Sequence, residues 1–89
     1  MTPDELAALP EPPAAPALAA LWWARRGAWD AAHERAQSSE DQDAAWVHAY
    51  LHRVEGDLDN AGYWYARAGK PVPDDALDEE WRLIAAALA

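Results

Sequence analysis

Three histidines are the residues in this chain whose type and spacing could do chemistry. His48 and His52 are four residues apart, so both rings would lie on one face of a helix. This spacing can chelate a metal ion, and His33 from the preceding helical segment could approach the pair. Three His ligands with one open position are typical of a catalytic zinc site. Glu55, three residues beyond His52, could orient a ring or bind a water molecule.

The same histidines also fit a structural role. The pattern H-x-x-x-H without the Glu of H-E-x-x-H often occurs by chance, and buried rings are commonly hydrogen-bonded to protein neighbours. The two hypotheses differ in geometry: imidazole nitrogens from at least two helices that converge within about 4 Å would support a metal site, whereas rings that point to different neighbours would support packing alone. The sequence therefore predicts either no cofactor or, as the alternative, a divalent transition metal such as zinc. The candidate metal residues are His33, His48, His52 and Glu55.

Aromatic residues form a second group of interest. Tyr63, Trp64 and Tyr65 are consecutive on a predicted helix, so they cannot all face inward, and at least one must be exposed or covered. Aromatic side chains beside an Arg are typical anchors of protein interfaces. The predicted partner-binding residues are Trp46, Tyr50, Arg53, Tyr63, Trp64 and Tyr65.

Several other chemistries lack the residues they need. The chain has no Cys, which excludes disulfides, thiolate zinc sites and cysteine nucleophiles. It has no glycine-rich loop after a strand to bind phosphate, and Ser38 and Ser39 have no base near them in sequence. With 16 acidic and seven basic residues, the formal net charge is -9, which argues against nucleic acid and anionic membranes as partners.

The predicted location is the cytoplasm. No stretch approaches the roughly 20 consecutive apolar residues of a transmembrane helix. The first five residues, Met1 to Glu5, have neither the basic region nor the apolar core of a signal peptide. We therefore expect a cytoplasmic protein with a protein or peptide partner.

Composition predicts a single all-α domain. The 89 residues fit one small domain, and 23 of them are Ala, the residue with the highest helix propensity. The β-branched residues that favour strands are scarce. Because Phe is absent, the six Trp and three Tyr are expected to supply much of the bulk of the core.

Residues 1–16 are predicted to form an N-terminal leader with a Pro-rich linker, and residues 17–89 the helical domain. Four of the seven Pro lie between residues 10 and 16, where they disfavour a regular helix. The leader is expected to tolerate deletion of residues 1–9, unless its two leucines dock on exposed aromatic side chains.

Apolar residues at helical spacing divide the domain into five helices. Ser39 with Gln42 forms a capping-box pattern at the start of the third helix, and Asp74 or Asp75 could cap the last helix. The acidic run Asp74–Glu80 is expected to be a solvated helix start. The third helix is apolar on almost every side, so it is predicted to be the buried central element. The first predicted helix begins at Ala17. The other four span about Trp29–Gln37, Glu40–Glu55, Leu58–Ala68 and Ala76–Leu88.

The first four of these helices form two similar helix-turn-helix hairpins, offset by 29 residues. Gly27 and Gly56 occupy the two turns, where a left-handed residue is expected. The positions that match are Leu21 with Tyr50, Trp22 with Leu51, Gly27 with Gly56, Trp29 with Leu58, Asp30 with Asp59 and Ala32 with Ala61.

The second hairpin resembles the tetratricopeptide and Sel1-like repeats. The residues that carry this resemblance are Gly56, Ala61, Tyr65, Ala68 and Pro73, which follow that family's small-aromatic-small-proline spacing. The resemblance covers about residues 17–73. It implies a helical repeat protein of two hairpins plus a C-terminal helix.

A longer string resembles a group of short bacterial proteins that are uncharacterised. It is HAYLHRVEGDLDNAGYWYARAG, residues 48–69, together with Trp29–His33. This resemblance implies no activity. The sequence therefore predicts a small cytoplasmic protein-interaction module with an aromatic-rich helical surface. The alternative is a metal-binding or metal-dependent catalytic protein that uses the histidine cluster.

Overall fold

The computed structural model describes residues 1–89 and contains six helices and no strand. The prediction of an all-α protein is confirmed. None of the helices combines the length and the apolar character needed to cross a bilayer. The helices are α1 (Pro3–Ala8), α2 (Pro16–Arg25), α3 (Trp29–Gln37), α4 (Gln42–Val54), α5 (Leu58–Ala68) and α6 (Leu77–Leu88).

The hairpins α2–α3 and α4–α5 are closed by the same kind of turn. Gly27 and Gly56 have φ angles of 72° and 77°, in the left-handed region that favours glycine. In each turn, the glycine N–H donates to the carbonyl three residues earlier, and the next N–H donates to the carbonyl five residues before it. These paired bonds satisfy carbonyls at the end of the preceding helix. The shared geometry is consistent with the predicted duplication, while the type of repeat stays a prediction.

Helix α4 is the central element, as its apolar sequence predicts. It packs against α2, α3, α5 and α6, and its residues 44–51 are all buried. Helix α6 packs against both α2 and α4 and buries Trp81 and Ile84. The Nε1–H of Trp81 donates to the carbonyl of Leu21 at 2.9 Å, so this buried indole keeps a hydrogen-bond partner.

The predicted start of α4 is wrong by two residues. The N-cap is Asp41, whose carboxylate accepts the N–H of Ala44 at 2.7 Å. Ser39, the predicted cap, instead donates its hydroxyl to the Asp41 carboxylate. The Asp41 carboxylate takes the cap position because a negatively charged acceptor is stabilised at the positive end of a helix dipole.

The predicted cap of α6 is also wrong. Neither Asp74 nor Asp75 caps the helix, and its N-cap residue, Ala76, makes no side-chain hydrogen bond. The carbonyl of Asp75 instead accepts a hydrogen bond from the guanidinium of Arg53. This contact with α4 fixes the chain just before α6 begins.

The segment predicted as a leader packs against the helical domain. Helix α1 contacts α2 and α6, and Leu6 is fully buried. The carbonyl of Leu9 accepts hydrogen bonds from the Trp22 indole and the Arg26 guanidinium, both at 2.9 Å. Residues 10–15 contain no helix, as their prolines predict. Deletion of residues 1–9 is therefore expected to destabilise the fold.

A sharper test of this packing is Leu6→Ala. This substitution should lower the free energy of unfolding by about 2–5 kcal/mol, because it leaves a cavity in the core. Leu58→Ala is the matched control, since Leu58 is 67% exposed and its truncation should change stability by no more than about 0.5 kcal/mol. Urea unfolding of both variants measures these two changes in the free energy of unfolding. Equal stability of the two variants would show that α1 does not pack on the core in solution.

Candidate metal site

Helices α3 and α4 bring the three histidines together. His33 lies on α3, and His48 and His52 lie on one face of α4. One ligand nitrogen from each ring lies within 4.8 Å of the other two. The ring centroid of His33 is 5.4 Å from that of His48 and 5.1 Å from that of His52. The centroids of the two α4 rings are 4.9 Å apart. The rings thus converge from two helices, although their nitrogens are spaced somewhat more widely than the predicted 4 Å.

The cluster lies at the edge of the core rather than deep within it. His48 is 4% exposed, as its position on the central helix predicts. The side chains of His33 and His52 are each 17% exposed. An ion could therefore enter from the side of these two rings, while His48 forms the inner wall.

The environment of His48 favours its neutral form. Burial, together with the neighbouring His52 and His33 and against the opposing effect of Glu55, lowers the pKa of His48 to about 4. Its ring also stacks on the indole of Trp64, with the centroids 4.0 Å apart. A neutral imidazole is the form that binds metal, so His48 is in the ligating state near neutral pH.

Two carboxylates at the α4–α5 turn face the histidines. Oε1 of Glu55 contacts Nε2 of His33. In the neutral tautomer that donates Nε2–H to this carboxylate, Nδ1 would keep the lone pair that a metal needs. Oδ2 of Asp57 lies 3.7 Å from Nδ1 of His52. A carboxylate on the second ring nitrogen is characteristic of metal-ligating histidines.

Nδ1 of His52 is buried and has no hydrogen-bond partner. A buried polar atom without a partner is costly and calls for an explanation. A ring rotation of His52 could close the 3.7 Å gap to Asp57, and a metal on the other ring nitrogen would hold that orientation.

Sequence reasoning named Glu55 and missed Asp57. The structure places the Glu55 carboxylate on His33, so it orients a ring rather than completing the group of converging nitrogens. Asp57 is the N-cap of α5 and holds Asn60 with both carboxylate oxygens. The available signal was its position five residues after His52, across the glycine turn that folds the chain back.

Four of the six predicted partner-binding residues lie within the fold. Trp46, Tyr50 and Tyr65 are buried, and burial raises the pKa of Tyr50 to about 12. Arg53 pairs with the buried Glu80 at 2.8 Å. The hydroxyl of Tyr65 donates to the same carboxylate. These side chains thus connect α4, α5 and α6.

The remaining two predicted residues form a smaller surface on α5 together with Arg67. Tyr63 is 55% exposed, which agrees with the expectation that at least one of the three consecutive aromatics faces outward. Trp64 is half-buried and meets Tyr63 edge-on, and the Arg67 guanidinium lies 5.3 Å from the Trp64 ring. A cavity of about 320 Å³ adjoins this surface. Its lining residues are Ala36, Gln37, Ser39, Glu40, His48, Trp64 and Arg67.

No protein-family model, curated protein or solved structure matches this chain. The resemblance to tetratricopeptide and Sel1-like repeats therefore stays a prediction.

Proposed function

We propose that this protein binds a divalent transition metal ion of the zinc type through His33, His48 and His52. The observation that carries the proposal is the convergence of three imidazole rings from two helices. Imidazole suits zinc, copper, nickel and iron, and a chain without Cys cannot offer thiolates instead.

A tetrahedral zinc ion has Zn–N distances of about 2.0–2.1 Å, which corresponds to about 3.4 Å between ligand nitrogens. The three nitrogens lie within 4.8 Å of one another, so a small contraction by side-chain rotation would bring them onto one ion. Three histidines leave the fourth position for a water molecule or a small ligand.

The surroundings of the rings support binding over simple packing. Glu55 holds the ring of His33, and Asp57 lies beside the unpartnered nitrogen of His52. In a metal site both carboxylates orient ligands and increase their basicity. A packing role alone would give no reason for the buried Nδ1 of His52 to lack a hydrogen-bond partner.

The proposal is tested by calorimetric titration of the full chain, without a His tag, with zinc. We expect one ion per chain. Glu55→Gln should weaken binding about 10- to 100-fold, because it removes the carboxylate from His33. Loss of a ligand in His33→Ala or His52→Ala should weaken binding more than that. Glu34→Gln is the matched control, since Glu34 is exposed and lies beside His33 in sequence.

Absence of zinc binding by the folded protein would refute the proposal. So would binding of equal strength in the control and in both His variants, because the ion would then occupy a different site. Circular dichroism of each variant confirms that it is folded before the titration is interpreted.

A second candidate function is partner binding through the α5 surface of Tyr63, Trp64 and Arg67. The observation in its favour is that Tyr, Trp and Arg, the residue types enriched at interface centres, lie together beside the 320 Å³ cavity. Cross-linking in an extract of the source cells should yield a defined adduct that Tyr63→Ala abolishes. Leu83→Ala, which truncates another exposed side chain, should leave the adduct intact. Loss of the adduct in both variants would argue against this surface.

A further inference from the structure

A continuous row of ring contacts joins the histidine cluster to the α5 surface. The His48 ring lies between His52, with centroids 4.9 Å apart, and Trp64, at 4.0 Å. The Trp64 ring in turn meets Tyr63 at 5.2 Å, and Arg67 lies above both aromatic rings. His48 is thus the histidine whose ring contacts the α5 surface.

Metal binding would disturb this row if the His48 ring moves towards the ion. The ligand nitrogens lie within 4.8 Å of one another, whereas a tetrahedral ion needs about 3.4 Å, so the rings must close on the ion. His33 is restrained by its contact with Glu55. Any movement of His48 towards the other two histidines withdraws it from the face of Trp64, which must follow or lose the stacking contact.

Charge acts on the same contact. An imidazole bound to a divalent ion carries part of the positive charge of that ion. The face of an indole ring is negative and attracts a cation, so Trp64 would be drawn towards a metal-bound His48. Geometry and charge both favour a Trp64 that moves with His48 when the ion binds.

We propose that metal binding at the three histidines is transmitted through His48 and Trp64 and repositions Tyr63 and Arg67 on the α5 surface. This inference rests on the proposed metal site and adds its regulatory consequence. The cavity beside the α5 surface is lined in part by His48, Trp64 and Arg67, so a movement of these side chains would change its shape. The α5 surface would then present different contacts to a partner in the metal-free and metal-bound states.

The test uses the full chain labelled with 3-fluorotyrosine, which gives one fluorine signal for each of its three Tyr. Single Tyr→Phe variants assign the signals. On titration with zinc, we expect the Tyr63 resonance to shift by more than its linewidth and to saturate at one ion per chain. The resonance of Tyr65, whose hydroxyl is held by Glu80, should move much less.

Variants at Trp64 separate transmission through the ring from the direct field of the ion. In Trp64→Phe, which keeps a stacked ring, the Tyr63 shift should persist. In Trp64→Leu, zinc should still bind and the Tyr63 shift should be lost. Trp64→Met replaces Trp64→Leu if the latter does not fold.

Two results would overturn the inference while leaving the metal site intact. One is zinc binding to the wild-type protein with no shift of the Tyr63 resonance. The other is a full Tyr63 shift in Trp64→Leu or Trp64→Met. Absence of zinc binding in calorimetry would instead refute the proposed function, and this inference with it.

Discussion

Glu80→Ala is expected to lower the free energy of unfolding by about 3–5 kcal/mol. Glu80 is 2% exposed, and its carboxylate accepts hydrogen bonds from the guanidinium of Arg53, at 2.8 Å, and from the hydroxyl of Tyr65. Burial and this carboxylate also raise the pKa of Tyr65, which keeps the phenol a donor. Removing the carboxylate leaves a largely buried cation and a buried phenol without their shared acceptor.

The measurement is urea unfolding followed by circular dichroism. Glu80→Gln should cost less than Glu80→Ala, because the amide oxygen can still accept one of the two hydrogen bonds. Glu79→Ala is the control, since Glu79 is exposed and its loss should change stability by no more than about 0.5 kcal/mol. A loss of under about 1 kcal/mol in Glu80→Ala would show that the buried ion pair contributes little to holding α6.

The second large effect is a loss of stability of the metal-free protein in mild acid. The pKa of His48 is about 4 in the folded state, against about 6.5 for an unperturbed His. Between these values the unfolded chain binds a proton at this residue and the folded protein does not. The stability that the folded protein gains from a neutral His48 is therefore fully present above pH 6.5, and it is lost as the pH falls to about 4. The total loss is about 3 kcal/mol, from 1.36 kcal/mol for each pKa unit.

This prediction is checked by denaturant unfolding at several pH values in the presence of a chelator. His48→Phe is the matched variant, because it keeps an aromatic ring against Trp64 and cannot titrate. The difference in unfolding free energy between wild type and His48→Phe should change by about 3 kcal/mol over this pH range. A difference that does not depend on pH would show that His48 is as easily protonated in the folded protein as in the unfolded chain.

Local features of the sequence determined the helices. The bounds of α3 and α5 follow directly from the predicted periodicity and from glycines at Gly27, Gly56 and Gly69, each of which has a positive φ. The central place of α4 was also predictable, because a helix that is apolar on nearly all sides must be surrounded. These properties depend on residues within a few positions of one another, so one chain segment at a time is enough to predict them.

Part of the candidate site could also be predicted from the sequence. The spacing of His48 and His52 places both rings on one face of any helix, whatever surrounds it. The contribution of His33 required two helices connected by a short loop to pack side by side. Its distance from the pair, and the approach of Glu55 and Asp57 from the next turn, are set by the packing of α3, α4 and α5.

Only the tertiary structure decided which faces are covered. Glu80 lies in an acidic run that is expected to be solvated, yet the packing of α6 against α4 buries it on Arg53 and Tyr65. Leu6 belongs to a segment predicted as a leader, yet it is fully buried. Burial depends on contacts between residues far apart in the chain, and helical periodicity identifies a face without identifying what will lie against it.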